Sequence, residues 1–370
     1  MINSRLQVMD LTSLKAVIKD LRNKIIPSRF EKAQQPDPNS LQLGLRTFKG
    51  LTWIELCWTG EAARLVEINP PAKIGSRSTL AKQIQYGLKD LALISINQKG
   101  FERIIQFELA IRPGDPIEKI LILELMGRHS NIFLLDKNQK VITLGRQVRT
   151  HQSRLRPIST GDIYLPPPPL QGIPPSKKES FERWKKRLSL LPINLKQSLQ
   201  ETYQGISPSL ALQLVNENKE IAQEILSIDT QKLSLEIWKD IYRRWCLWLT
   251  EIESKNSSLY FKGPTDFMNW STSNVKDSEI NISLKLGNYY NEKITLKKIN
   301  LISKNLSNKI MKLNKDESKE LSKQLELLSK TKEEKMIKQK ADEILCQASL
   351  SKEEIEKSQK LYRKSKKLRR

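Results

Sequence analysis

The sequence predicts an α+β domain, then an α-helical domain, then a helical arm, and three observations predict this order. Over residues 10–150, short aliphatic and aromatic runs mix irregularly with two amphipathic segments, which points to helices laid on a sheet rather than to repeated βα units. Pro166-Pro-Pro-Pro169 and Pro174-Pro175 can continue neither sheet nor helix and form a semi-rigid spacer. From Leu301 onward, apolar residues recur mostly three, four or seven apart on a background of Lys and Glu. The expected boundaries are 1–170, 171–300 and 301–370.

Residues 10–26 carry Leu11, Leu14, Val17, Ile18, Leu21 and Ile25 at helical spacing. The runs Leu41 to Leu45, Thr52 to Trp58 and Ala63 to Ile68, punctuated by Gly50 and Gly60, predict a strand meander with one covered face. Ser78 is a candidate cap for a second helix containing Leu80, Ile84 and Leu88. Strands are expected again at Leu91 to Ile96, Arg103 to Ala110, Ile120 to Leu125, Asn131 to Leu135 and Val141 to Leu144. The polar stretch Asp136 to Lys140 predicts a hairpin turn between the last two.

Phe181 to about Leu249 has a helical pattern, with Trp184, Leu188, Leu191, Leu195 and Leu199 as one stripe and Trp245 and Trp248 as core. Within it, Tyr203-Gln-Gly-Ile-Ser-Pro-Ser-Leu-Ala211 fits a helix-hairpin-helix, in which Gly205 and the following helix start offer N–H groups to phosphate. Any helical hairpin also wants Gly and Ser-Pro at those places. Residues 258–298 are mixed and are expected to pack back on the helices. Ile302, Leu306, Ile310, Leu313, Leu321, Leu325 and Leu328 form a coiled-coil seam, and a break near Ser349 to Ser351 permits an antiparallel partner helix.

Sixty-four Lys and Arg against 41 Asp and Glu give a net charge of +23 over 370 residues, a balance that favours polyanionic partners. No run nears the roughly 20 apolar residues of a membrane helix, and the N-terminus lacks the layout of a signal peptide, so a cytoplasmic protein without a membrane partner is expected. Cys57, Cys246 and Cys346 lie far apart, which indicates neither a disulfide framework nor a cysteine zinc site, and each is expected to be a small buried residue.

The stretch Glu124-Leu-Met-Gly-Arg-His-Ser-Asn131 places a glycine, a cation, an imidazole and small polar groups directly before an apolar run. A loop held against a rigid sheet is a frequent binding element. The structural alternative is a glycine supplying an unusual backbone conformation and a histidine bonded to a neighbouring carbonyl. Arg146, Arg149, Arg154 and Arg156 follow with His151 and no acid, and are candidate phosphate contacts or a solvated charge run.

These motifs, with Met9-Asp10-Leu11, Gln98-Lys-Gly-Phe-Glu-Arg-Ile-Ile105 and Gly161-Asp-Ile-Tyr-Leu-Pro-Pro-Pro-Pro169, resemble in order those of the NFACT family, the RqcH-type ribosome quality-control proteins also described as fibronectin-binding protein A-like. The resemblance implies an N-terminal domain related in fold to formamidopyrimidine-type DNA glycosylases, then a helix-hairpin-helix domain, a coiled-coil arm and a further basic domain before which this sequence ends. It implies binding to a large ribosomal subunit obstructed by peptidyl-tRNA, through rRNA and tRNA. It further implies recruitment of tRNA, alanyl-tRNA in bacterial members, for template-free tailing of the stalled chain. Asp10 matches the family's acidic position, and Glu102-Arg103 its Asp-Arg pair. Glu124, Leu125 and Met126 match a patch for tRNA or ribosome engagement, supported by Gly127, Arg128, His129, Ser130 and Asn131. Leu125 and Met126 could equally be core.

No enzyme, cofactor or metal is expected. His129 and Ser130 are adjacent, which is unsuited to nucleophile-and-base geometry, and no phosphate-binding glycine loop or zinc pattern is present. Residue 2 is Ile2, and no cysteine finger occurs, so glycosylase chemistry is not expected. The rival readings are a general nucleic-acid-binding coiled-coil protein without tailing and a fibronectin-binding adhesin.

Overall fold

The computed structural model describes residues 6–75, 78–153, 156–254, 259–261, 267–271, 281–347, 349 and 351–369. Arg154 of the basic run lies outside them. The chain divides into two compact units, Met1–Ile294 and Thr295–Arg370.

The first unit begins with α1 (Leu11–Ile25), started by a capping box in which Asp10 accepts from the Ser13 N–H and the Ser13 hydroxyl meets the Asp10 N–H. It is buried along most of its length. Strands β1 (Ser28–Gln34), β2 (Ser40–Thr47), β3 (Gly50–Cys57) and β4 (Arg64–Ile68) follow, then α2 (Thr79–Gly87), capped by Ser78. β5 (Ala92–Gln98), β6 (Ile104–Ala110), β7 (Lys119–Glu124), β8 (Asn131–Asp136) and β9 (Val141–Leu144) complete one antiparallel sheet, ordered β4-β3-β2-β1-β5-β6-β7-β8-β9. The sequence pattern misses β1, because its buried side chains include Ser28 and Gln34 and show little apolar alternation.

The sheet curls until its ends meet. A Cβ on Gly60, in the β3–β4 turn, would stand 3.1 Å from Arg128 Cα, and one on Gly145 would reach the Trp58 indole at 2.8 Å. A side chain at either place would force its neighbour to shift, so glycine eases both approaches. Inside the curl, α1 packs on β2, β4 and β5, and α2 on β1 and β9. Side-chain alternation then splits β7 and β8 between two cores. Leu121, Leu123, Ile132 and Leu134 face the helices, while Ile122, Phe133 and Leu135 face outward under Val141, Ile158 and Tyr164.

After the prolines come α3 (Phe181–Leu188), α4 (Leu195–Thr202), α5 (Pro208–Val215), α6 (Lys219–Ser227) and α7 (Leu235–Glu253). Trp184, Trp245 and Trp248 lie in their core. The proposed single stripe is broken: Leu191 falls between α3 and α4 and is exposed. The stretch after residue 258 divides between two cores instead of packing only on the helices. Trp270 joins the helical core, whereas Leu259, Phe267, Tyr289 and Tyr290 join the sheet core. Two-residue strands β10 (Tyr260–Phe261) and β11 (Phe267–Met268) pair there.

α8 (Ile282–Leu345) supplies the start of the second unit, and α9 (Lys352–Leu368), capped by Ser351, runs back along its end. Ser358 bonds the Ala341 carbonyl, and Ser365 reaches Glu334. The expected burial of the Ile302 to Leu328 seam is not observed: Ile302, Leu306, Ile310, Leu313, Leu321, Leu325 and Leu328 are all exposed. α9 has 17 residues, about 25 Å, and so covers only the end of the 64-residue α8. Of the cysteines, Cys57 is buried, Cys246 half-buried and Cys346 exposed just beyond α8, so the expectation for Cys346 fails. No helix among the described residues is long and apolar enough to cross a membrane.

Candidate functional site

A cleft of 850 Å³ opens in the first unit between the N-terminus of α1, the β5–β6 turn and the α4–α5 turn. Asp10, Arg103 and Gly205, far apart in sequence, all line it, together with Lys196 and Lys219.

Asp10 is the joint of this arrangement. One carboxylate oxygen accepts from the Ser13 N–H and hydroxyl, both at 2.9 Å. The other accepts from the Ser207 hydroxyl at 2.7 Å and from the buried Asn269 amide at 2.5 Å. Ser207 also caps α5 by accepting from the Leu210 N–H. One carboxylate thus satisfies two helix starts and a strand end. Burial pushes its carboxyl above the ordinary value of 3.8, against the Ser13 and Ser207 donors and the Arg103 charge. Asp10 is 2% exposed, so it shapes the cleft wall more than it faces solvent.

Arg103 is half-buried and donates to the Met9 carbonyl at 3.2 Å. Burial lowers its tendency to stay protonated, while Asp10 and Glu102 favour the charge. Glu102 does not grip Arg103: its carboxylate accepts from the Leu170 N–H at 3.0 Å and ties down the end of the proline segment. At the α4–α5 turn, Gly205 has φ +79°, and a Cβ there would press Leu11 at 2.9 Å and Phe101 at 3.0 Å. The turn is therefore seated on α1 and the β5–β6 turn.

The Arg103 carbonyl accepts from the Leu125 N–H, which puts the second candidate element beside the cleft. Gly127–His129 forms one 3-10 turn, with Gly127 at φ +57°. Ser130 holds it from below, accepting from the Met126 N–H and donating to the Gly127 carbonyl. Asn131 clamps the Arg146 backbone at both its N–H and its carbonyl. Ser130 and Asn131 are buried, so Arg128, His129 and Arg146 are what the turn presents. Arg128 donates to His129 Nε2, and Arg146 donates to the Arg128 carbonyl.

Three residues of the predicted set point elsewhere. Leu125 is core. Glu124, 1% exposed on the outer face of β7, accepts from Arg156 through both oxygens at 2.6 and 2.8 Å and from the Tyr164 hydroxyl at 2.7 Å. Arg156 therefore has its compensating carboxylate after all, supplied from 32 residues upstream, and is not an open phosphate contact. Arg149 remains exposed. Sequence reasoning missed Ser207, Asn269, Lys196 and Lys219. Only Ser207, as the serine before a proline that opens a helix, carried a local signal.

A curled antiparallel sheet enclosing two helices and fused to a helical domain is the fold of two solved structures. One is the N-terminal part of the fibronectin/fibrinogen-binding protein from Streptococcus suis, with TM-score 0.54 and 21% identity, covering 77% of this chain and 99% of that one. The other is the fibrinogen binding protein from Staphylococcus aureus, with TM-score 0.53 and 19% identity, covering 70% and 89%. The chain belongs to the NFACT family, whose model for the NFACT N-terminal and middle domains matches residues 10–356. It is similar to the Rqc2 homolog RqcH of Streptococcus suis, 29% identical over 208 residues, and of Bacillus subtilis, 28% identical over 206 residues. Each alignment covers 53% of this chain, but only 36% and 35% of those relatives. The chain thus spans about a third of the length of the curated relatives it matches.

Proposed function

We propose that the protein is a ribosome-associated quality-control factor. It binds large ribosomal subunits obstructed by peptidyl-tRNA and recruits tRNA, alanyl-tRNA in the bacterial manner, for template-free C-terminal tailing of the stalled chain. The observation that carries this reading is the cleft lined by Arg103, whose carbonyl is bonded to Leu125 just ahead of the Gly127–His129 turn, within a chain similar to RqcH proteins. A guanidinium with free N–H groups can fork onto a phosphate or a base edge, and Lys196 and Lys219 add exposed cations at the rim. The α4–α5 turn acts as a helix-hairpin-helix element against the nucleic-acid backbone, and the α8–α9 arm, paired only at its end, as the helical extension that spans ribosomal sites. The ribosome performs the peptide-bond chemistry, and the protein works in the cytoplasm through rRNA and tRNA.

The test is sedimentation of tagged protein on a sucrose gradient, with sequencing of the RNA in each fraction. Co-migration with free large subunits and one enriched tRNA class is expected. Arg103→Ala should keep the fold and lower tRNA recovery by roughly tenfold, in line with loss of a forked contact. Migration at the top of the gradient with mixed RNA would replace this reading by a general nucleic-acid binder.

A further inference from the structure

We propose that the β2–β3 hairpin carries an aromatic finger, Phe48, that stacks on an unpaired base of RNA while Lys49 meets the neighbouring phosphate. Phe48 is 99% exposed, whereas every other described phenylalanine is buried or half-buried. A two-residue turn wants small polar residues, so a phenylalanine here opposes both turn chemistry and solubility. A local rule broken without a packing gain marks a functional position.

The tip is stiff. β2 and β3 pair without a break from Ser40↔Cys57 to Thr47↔Gly50. Thr47 Oγ1 accepts from the Lys49 N–H at 3.1 Å and donates to the Gly50 carbonyl at 3.0 Å. Gly50 has φ +125°, which a side chain would strain. The ring is thus presented by a preorganised support, so little ordering cost accompanies binding.

The surroundings of the ring select its partner. Its immediate chain neighbours Thr47, Lys49 and Gly50 add no large apolar side chain, which a bilayer or a protein pocket would reward. A base needs one ring face and a nearby cation, and the net charge of +23 draws the protein to polyanions. The finger stands at the far end of β2 and β3 from the Gly60 turn, about 25 Å along the strands from the turn that touches Arg128. Neither Phe48 nor Lys49 lines the Arg103 cleft, so the finger is a separate contact and does not depend on the tailing reading.

The test measures binding of the 370-residue chain to a labelled single-stranded oligo(A) RNA of about 12 nucleotides, to purified large ribosomal subunits and to phosphatidylglycerol vesicles. Phe48→Ala should weaken binding roughly tenfold without changing the salt dependence, while Lys49→Ala should flatten that dependence. Phe48→Trp should restore binding and Phe48→Leu should not, since stacking needs a ring. Circular dichroism should show all variants folded. The proposal is overturned if wild type binds neither RNA, if Phe48→Ala binds both as wild type does, or if Phe48→Leu restores binding. It is also overturned if Phe48→Ala loses only binding to phosphatidylglycerol vesicles, which would make the finger a membrane contact. Arg103→Ala should leave the Phe48 effect intact, which separates failure here from failure of the cleft.

Discussion

Replacing Arg156 with Gln should destabilise the first unit by about 3 kcal/mol while leaving RNA affinity nearly unchanged. The magnitude follows from the asymmetry of the pair. Removing one partner of a buried pair costs about 3–5 kcal/mol, mostly because the remaining charge is stranded. The Glu124 side chain is 1% exposed and would be stranded, with only Tyr164 still donating to it. Arg156 is 16% exposed and reaches water, and it keeps its bond to the Leu165 carbonyl. Glu124→Gln should therefore cost less, about 1–2 kcal/mol, and the double variant less than the sum of the singles. Guanidinium unfolding of the four proteins gives these differences, with RNA binding measured in parallel. The reasoning is refuted if Arg156→Gln unfolds within about 0.5 kcal/mol of wild type and loses RNA affinity, because Arg156 would then be a ligand contact.

Two further substitutions test the joints of the fold. Burial raises the Asp10 carboxyl above 3.8, so the folded state holds this proton more tightly than the unfolded chain. The stability from that group is complete below 3.8 and is lost as pH rises through the folded value, and Asp10→Asn should remove this slope; urea midpoints across the range that keep the slope in the variant would count against it. Gly287, in the first turns of α8, faces the Glu67 carbonyl so closely that a Cβ would overlap it. Gly287→Ala should cost about 1–3 kcal/mol and speed proteolysis near the start of α8, and unchanged digestion would refute that packing.

Much of the element order was legible because its signals act over a few residues. Ser78 caps α2 at a spacing of three, and the polar stretch Asp136 to Lys140 joins β8 to β9. β1 was not legible, since its burial depends on strands on either side more than on its own side chains. The Gly127–His129 turn was recognisable as a loop before a strand, but its division into buried Ser130 and Asn131 and exposed Arg128 and His129 came from the fold.

By itself, the sequence determined the sheet-then-helix order, the Ser78 cap of α2, the basic character and membership of a family. The tertiary structure alone decided who partners whom. Glu124 neutralises Arg156, Asp10 takes donors from Ser207 and Asn269, and Glu102 turns to Leu170 instead of Arg103. It also decided that the Ile302 to Leu328 stripe stays exposed. The physical reason is common to these cases. Periodicity specifies which side of an element is apolar, and a charge specifies that a partner is needed, but only the path of the chain determines what arrives there.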